Sequence, residues 1–307
     1  MSRIHEALQK AYRERMSLPD SKLNGFHEPV AASVLEEPRP VASESGLESV
    51  ARHPWKPAIL SLPTLEDRGA GVEQFRSLRS HIYQAHYEIP LKTILIASGM
   101  PSEGKSFVAA NLAVSLARNS VNNILLIDGD MRRPTLQNLL GAPDSPGLSD
   151  YLEGSVDLVD VMQRDCGQET PEGGSVSTVP NLTFIPSGKS KDNSSELVAN
   201  HRIEELIAAV SSRFDWILID SPPALAVTDA IDLARAADAV LLVARGASTP
   251  YDVARRTQAA FGKSRILGFV LNDVKNAPHK GSYNYNYYYN SGLDGAGRPA
   301  KAMDKQR

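Results

Sequence analysis

Residues 99–106 read Gly-Met-Pro-Ser-Glu-Gly-Lys-Ser, a Gly-x4-Gly-Lys-Ser spacing set between a short apolar run and a helical pattern. This spacing commits the chain to a strand–loop–helix unit. Its glycines let successive backbone N–H groups turn inward around an anion, and the helix that follows points its positive N-terminus at the same place. In such a loop Lys105 reaches the outer phosphate oxygens and the Ser106 hydroxyl ligates Mg²⁺. Gly99, Met100, Pro101, Ser102, Glu103, Gly104, Lys105, Ser106 and Phe107 are the expected phosphate-binding residues.

The loop belongs to a longer alternation. Continuously apolar runs at 93–97, 123–127, 182–185, 216–219, 239–244 and 266–271 read as strands covered on both faces. Helical stretches at 104–118, 201–213, 229–236 and 251–261 lie between most of them. Right-handed crossovers follow, and with them an α/β fold of the P-loop NTPase kind: a mostly parallel sheet, helices on both faces, ligands at the carboxyl edge of the strands.

Outside that alternation the chain is thin in core material. Residues 17–63 hold seven of the 20 prolines, many Ser and Glu, and no apolar period, which is the composition of a disordered linker. Ahead of it, Ile4, Leu8, Ala11 and Tyr12 share one face of a short amphipathic helix within residues 1–16. Alone, a helix of that length is marginal in water, so it frays or docks on a partner. The expected division is a helix at 1–16, a linker at 17–63, one domain at 64–276 and a flexible tail at 277–307.

Two further strands end on acids at the same sheet edge. Ile124–Ile127 runs into Asp128-Gly129-Asp130, and Ile217–Ile219 runs into Asp220-Ser221-Pro222-Pro223. Mg²⁺ takes oxygen ligands and keeps several waters, so one or two carboxylates beside the phosphates suffice. Asp220 is the expected water-mediated contact and Asp128 a second metal-side carboxylate, while Asp130 is placed to accept the proton of an incoming hydroxyl. Asp128 and Asp130 can exchange those roles, and an Asp after a strand also commonly caps the next turn. Arg132 and Arg133 either neutralise phosphoryl charge or form salt bridges.

Composition narrows the partners. A net charge of −3 excludes a role resting on a basic surface, so no nucleic-acid partner is expected. No apolar run reaches the ~18 residues that cross a bilayer, and the lone Cys166 has no partner for an internal disulfide. Cytoplasm is the expected compartment.

Five of the ten tyrosines, Tyr283, Tyr285, Tyr287, Tyr288 and Tyr289, crowd into a polar stretch with little apolar company. Tyr283 and Tyr289 lie 11 and 17 residues beyond Asn272, an extended reach of ~40 to ~60 Å. A tether this short keeps the local concentration of hydroxyls high at the chain's own phosphate loop or a neighbour's.

Phosphate loop, Asp-Gly-Asp strand, Asp-Ser-Pro-Pro strand and tyrosine tail together resemble the bacterial tyrosine kinases of capsule and exopolysaccharide biosynthesis. That family's Walker A, Walker A′ and Walker B motifs match residues 99–106, 124–130 and 216–220, and the resemblance runs over residues 72–290. It implies a P-loop tyrosine kinase domain at 64–276, with catalytic Lys105, Asp128 and Asp130, using ATP and Mg²⁺ to phosphorylate its own tail tyrosines and regulate polysaccharide chain polymerisation or export. Glu73, Arg76 and Arg79 resemble its Glu-x-x-Arg-x-x-Arg oligomerisation motif and share a helix face. Asn272 resembles the strand-end Asn that faces adenine.

A homo-oligomer, a separate membrane-anchored chain-length or co-polymerase activator and a cognate phosphotyrosine phosphatase are the implied partners, with the chain peripheral at the inner face of the cell membrane. Ser102 departs from the family's usual glycine, which suits a backbone with negative φ. Two alternatives share the phosphate site: a MinD/ParA-like positioning ATPase, and a nucleotide-binding scaffold subunit of a polysaccharide export complex.

Overall fold

All six apolar runs become neighbouring strands. The computed structural model describes residues 47–118, 122–169, 175–177, 179–189, 194–199 and 201–274. In chain order the elements are β1 (Ala51–His53), α1 (Ala70–Glu88), β2 (Thr93–Ser98), α2 (Lys105–Ala117), β3 (Ile124–Asp128), α3 (Leu136–Leu140), α4 (Leu148–Glu153), β4 (Gln163–Asp165), β5 (Gln168–Glu169), β6 (Ser175–Val176), β7 (Leu182–Ile185), α5 (Ser194–Ala199), α6 (Arg202–Val210), β8 (Trp216–Asp220), α7 (Asp229–Leu233), β9 (Ala239–Arg245), α8 (Tyr251–Ala260) and β10 (Ile266–Asn272). The described residues from Leu47 to Asn272 form one compact unit. The amphipathic pattern at 1–16 and the tyrosine cluster lie outside the described residues.

Strand order in the main sheet is β1-β4-β7-β3-β8-β2-β9-β10. Every pairing is parallel except β4 with β7. From β2 the chain crosses β8 to reach β3, and from β7 it crosses back over β3 to reach β8. Helices on both faces follow from those crossovers. The expected α/β fold is the observed one.

Alternate residues of each strand feed separate cores, as a two-residue period requires. Ile94, Ile96, Leu126, Leu218 and Leu241 pack with α1 and α2 on one face, while Leu95, Ala97, Leu125, Ile127, Ile217 and Ile219 pack with α4 to α7 on the other. Helix α2 is buried at every position from Val108 to Ala117. A helix apolar on all sides must be covered on all sides. The chain before α1 supplies part of that cover: Arg118, just past α2, donates from Nη1 to the carbonyls of Thr64, Leu65 and Glu66 at 2.9, 2.6 and 2.9 Å.

This cover corrects the expected linker. Residues 47–63 are not a tether: Leu47, Val50, Trp55 and Leu62 are buried, and β1 pairs with β4. Trp55 meets Phe184 edge-on, with ring centroids 6.2 Å apart at 88°. Backbone bonds from Lys56 to Gly141 (3.1 Å) and Ala58 to Leu139 (2.9 Å) hold the segment down. Its apolar residues dock one at a time between prolines, so they leave no period to detect.

Removing the Trp55 ring should cost ~3–5 kcal/mol, the range for emptying a large buried aromatic site. Urea unfolding of Trp55→Ala measures it; a loss under ~1 kcal/mol would mean that the segment packs only loosely.

Candidate active site

The phosphate loop joins β2 to α2 at the centre of the sheet's carboxyl edge. Its close turns have visible causes. Gly104 sits at φ +94°, and an added Cβ there would lie 1.9 Å from the Asn272 amide nitrogen. Ser102 has φ +63°, so the condition under which a serine replaces the family's glycine without strain, a φ that is not positive, is not met: the serine occupies the left-handed region that suits glycine. Glu103, almost fully buried, accepts the Met100 N–H at 2.7 Å on one oxygen and the Thr249 hydroxyl on the other. Asn272 donates to the Glu103 carbonyl at 3.0 Å, so its amide braces the loop backbone.

Three carboxylates surround the Lys105 ammonium. Asp130 pairs with it directly at 3.1 Å. Burial works against the charged lysine, but Asp220, Asp130 and Asp128 outweigh it and hold its pKa above the ordinary value. Asp128 and Asp220 face each other in the β3–β8 register. The two are fully buried, yet their environments differ.

Asp128 is engaged by backbone. Oδ1 accepts the Asp130 N–H at 3.1 Å, and Oδ2 accepts those of Thr135 and Leu136 at 3.2 and 3.1 Å. The carboxylate thus staples the turn into α3, the capping arrangement that the sequence also allowed. Burial, then the charge of Asp220, raise its pKa to about 8 despite those N–H bonds. Gly129 makes the close register possible, since a Cβ there would stand 2.6 Å from the Asp220 carbonyl oxygen.

Asp220 has no such support. Neither side-chain oxygen has a hydrogen-bond partner among the described residues. Burial pushes its pKa up to about 6; Lys105, the Ser106 hydroxyl and the Ser221 N–H lie close enough to oppose that rise, although neither the hydroxyl nor the N–H reaches hydrogen-bond geometry. Buried, unpartnered carboxylate oxygens are costly and call for a cation or water. The residues present fit Mg²⁺: a serine hydroxyl and a hard carboxylate at a phosphate loop, with phosphate and water completing the shell. Among the described residues no cluster of three or more His, Cys, Asp or Glu could hold a metal without such additions.

A cleft of about 670 Å³ opens over this group. Ser102, Gly104, Lys105, Ser106 and Asp130 form its polar part, and Pro101, Phe107, Leu139, Pro222, Pro223, Ala226 and Val227 its apolar part, with Arg132 and Arg133 also lining it. Lys105, Ser106, Phe107 and Asp130 line this one cleft. Glu73, Arg76 and Arg79 do not join them: they lie on α1, where Arg76 pairs with Glu73 and Arg79 donates to the Ser115 carbonyl on α2. Sequence reasoning missed Thr249, which carries no motif, and Asp229, which accepts hydrogen bonds from Ser194, Ser195 and Arg132.

The raised pKa values set a sign. An acid that holds its proton longer in the folded chain than in the unfolded one loses folding stability as pH rises through the interval between the two pKa values. For Asp220 that interval runs from the usual carboxylate range to about 6, and for Asp128 to about 8. Thermal unfolding without nucleotide or metal should show stability falling from pH 5 to pH 8, and Asp220→Asn should be more stable than wild type at pH 8 with a flatter profile. A variant no more stable than wild type at pH 8 would contradict the strain assigned to Asp220.

Known proteins share this architecture. A family model described as an AAA domain matches residues 91–250. Tyrosine-protein kinase YwqD of Bacillus subtilis is 32% identical over 225 residues, 73% of this chain and 88% of that protein. Tyrosine-protein kinase ptk of Acinetobacter johnsonii is 33% identical over 249 residues, 80% of this chain, and the chain spans 31% of that longer relative. The solved kinase domain of Escherichia coli tyrosine kinase ETK aligns at TM-score 0.60 and 31% identity, covering 74% of this chain and 84% of that one. With its phosphate loop, its two acidic strand ends and these relatives, the chain belongs to the bacterial tyrosine kinases.

Proposed function

We propose that the chain is an ATP- and Mg²⁺-dependent protein tyrosine kinase that phosphorylates Tyr283, Tyr285, Tyr287, Tyr288 and Tyr289 of its own tail. The observation that carries this reading is the pair of unpartnered Asp220 oxygens, buried beside Ser106 and Lys105 at a phosphate loop. Ser106 and Asp220 would hold Mg²⁺, which when bound neutralises phosphate charge; Asp128, on the neighbouring strand, would join them as a second metal-side carboxylate once that cation displaces the proton its raised pKa holds.

Lys105 binds the phosphate oxygens, and the loop N–H groups orient them. As the tyrosine oxygen bonds to the γ-phosphorus, the bond from that phosphorus to the β–γ bridging oxygen breaks and ADP departs. Asp130 reaches into the cleft and is the group placed to take the phenolic proton. The apolar wall from Phe107 to Val227 shelters the reaction from water and offers an aromatic ring a surface. Little covalent work falls to the protein; positioning and charge do most of it.

Glu73, Arg76 and Arg79 serve assembly of a homo-oligomer in this reading, and a separate membrane-anchored chain-length or co-polymerase protein recruits and activates it at the inner face of the membrane. Control of polysaccharide polymerisation or export, reversed by a phosphotyrosine phosphatase, is the process it serves. Among the described residues no helix is long and apolar enough to cross a membrane.

Incubation with γ-labelled ATP and Mg²⁺ tests the chemistry. Wild type should acquire label on tyrosine, Lys105→Met should lose it by ~100-fold or more, and a variant with Phe at all five tail positions should lose most of it. No label on wild type, even with a membrane activator present, would overturn the kinase reading. Label persisting in the Phe variant would displace only the tail.

A further inference from the structure

We propose that Asp229 and Ser195 are positioning residues for phosphoryl transfer: they hold the Arg132 guanidinium fixed on the side wall of the nucleotide cleft. The proposal rests on the tyrosine kinase reading above.

Arg132 lies two residues past Asp130 and lines the same cleft as Lys105 and Ser106. A long side chain on a loop would ordinarily sample many rotamers. Here two of its edges are held. Nε pairs with Asp229 Oδ2 at 3.3 Å, and Nη2 donates to the Ser195 hydroxyl at 2.9 Å. Asp229 is in turn buried and held by others: its Oδ2 accepts the Ser194 hydroxyl at 2.8 Å, and its Oδ1 accepts that of Ser195. The first turns of α5 and α7 therefore grip one arginine between them. Burial alone would raise the pKa of Asp229, but the bonds from Ser195, Ser194 and Arg132 outweigh it and keep the carboxylate ionised.

The charge of the cleft gives this grip a purpose. Lys105 shares its charge with Asp220, Asp130 and Asp128, as Arg132 does with Asp229, so what the guanidinium adds to the cleft is N–H donors of fixed direction rather than uncompensated charge. Beside Lys105 and the Mg²⁺ that Ser106 and Asp220 would hold, a further donor stabilises the phosphoryl oxygens as the acceptor O–P bond forms and the bridging P–O bond breaks. Arginine suits that task only when its plane is fixed in advance, because a donor that must reorganise stabilises the transition state less. Two held edges fix the plane.

The test uses the full chain with Mg-ATP and its own tail as acceptor, recording three quantities: the single-turnover rate of tyrosine labelling, the Kd for ATP by calorimetry, and the melting temperature. Asp229→Asn and Ser195→Ala should each slow transfer by ~10–100-fold while the Kd for ATP changes by less than ~3-fold. Ser195→Thr, which keeps the hydroxyl, should retain most of the rate. Arg132→Lys should be as slow as Asp229→Asn, and combining the two should cost nothing further, since both remove the same held guanidinium.

Losses that multiply in the double variant, or rate and melting temperature falling together in all variants, would overturn the proposal in favour of a purely structural ion pair. Should Asp229→Asn fail to fold, Ser195→Ala and Arg132→Lys at half-buried positions give the same comparison. Unaltered labelling in every variant removes only this proposal, whereas no labelling in wild type removes the kinase reading and this proposal with it.

Discussion

One partly buried ammonium among three buried carboxylates governs this structure. With Lys105, Asp128, Asp130 and Asp220 all ionised, the group would carry a net charge of −2, a heavy burden in a low-dielectric interior. The protein relieves it in two ways. Near neutral pH, Asp128 retains a proton, as its pKa of about 8 states. Asp220 remains without hydrogen-bond partners among the described residues, a strain that a divalent cation delivered with nucleotide would remove.

The sheet places these groups. Parallel pairing of β8 between β3 and β2 sets Asp220 beside Asp128 in one register and beside Ile96 in the other. The loop that leaves β2 then opens directly next to Asp220, and the burial of α2 from Val108 to Ala117 holds that loop in place. Residues 47–67 matter for the same reason. By covering α2 with Trp55, Leu62 and the carbonyls that Arg118 binds, they stiffen the helix whose first turn carries Lys105 and Ser106.

Much of this was legible in residue order. Six strands announced themselves because strands covered on both faces must be apolar throughout, and Gly-x4-Gly-Lys-Ser located the phosphate loop between one of them and a helix. What stayed hidden was short, polar or non-periodic. Ala51–His53 and Gln163–Asp165 pair at the sheet margin without an apolar signal. Trp55 anchors a proline-rich stretch that reads as a linker. Ser102 takes a conformation that its side chain gives no hint of. The grip of Asp229 on Arg132 joins residues 97 positions apart; an acid opening a short helix reads as an ordinary cap until the fold brings the arginine to it.

The proposed kinase chemistry therefore centres on Asp220 as the Mg²⁺-side carboxylate. Calorimetric titration of ATP into the chain, with and without Mg²⁺, for wild type and Asp220→Asn, measures that directly. Mg²⁺ is expected to strengthen ATP binding by ~10-fold or more in wild type and by less than ~2-fold in the variant. An equal Mg²⁺ dependence in both would contradict the account.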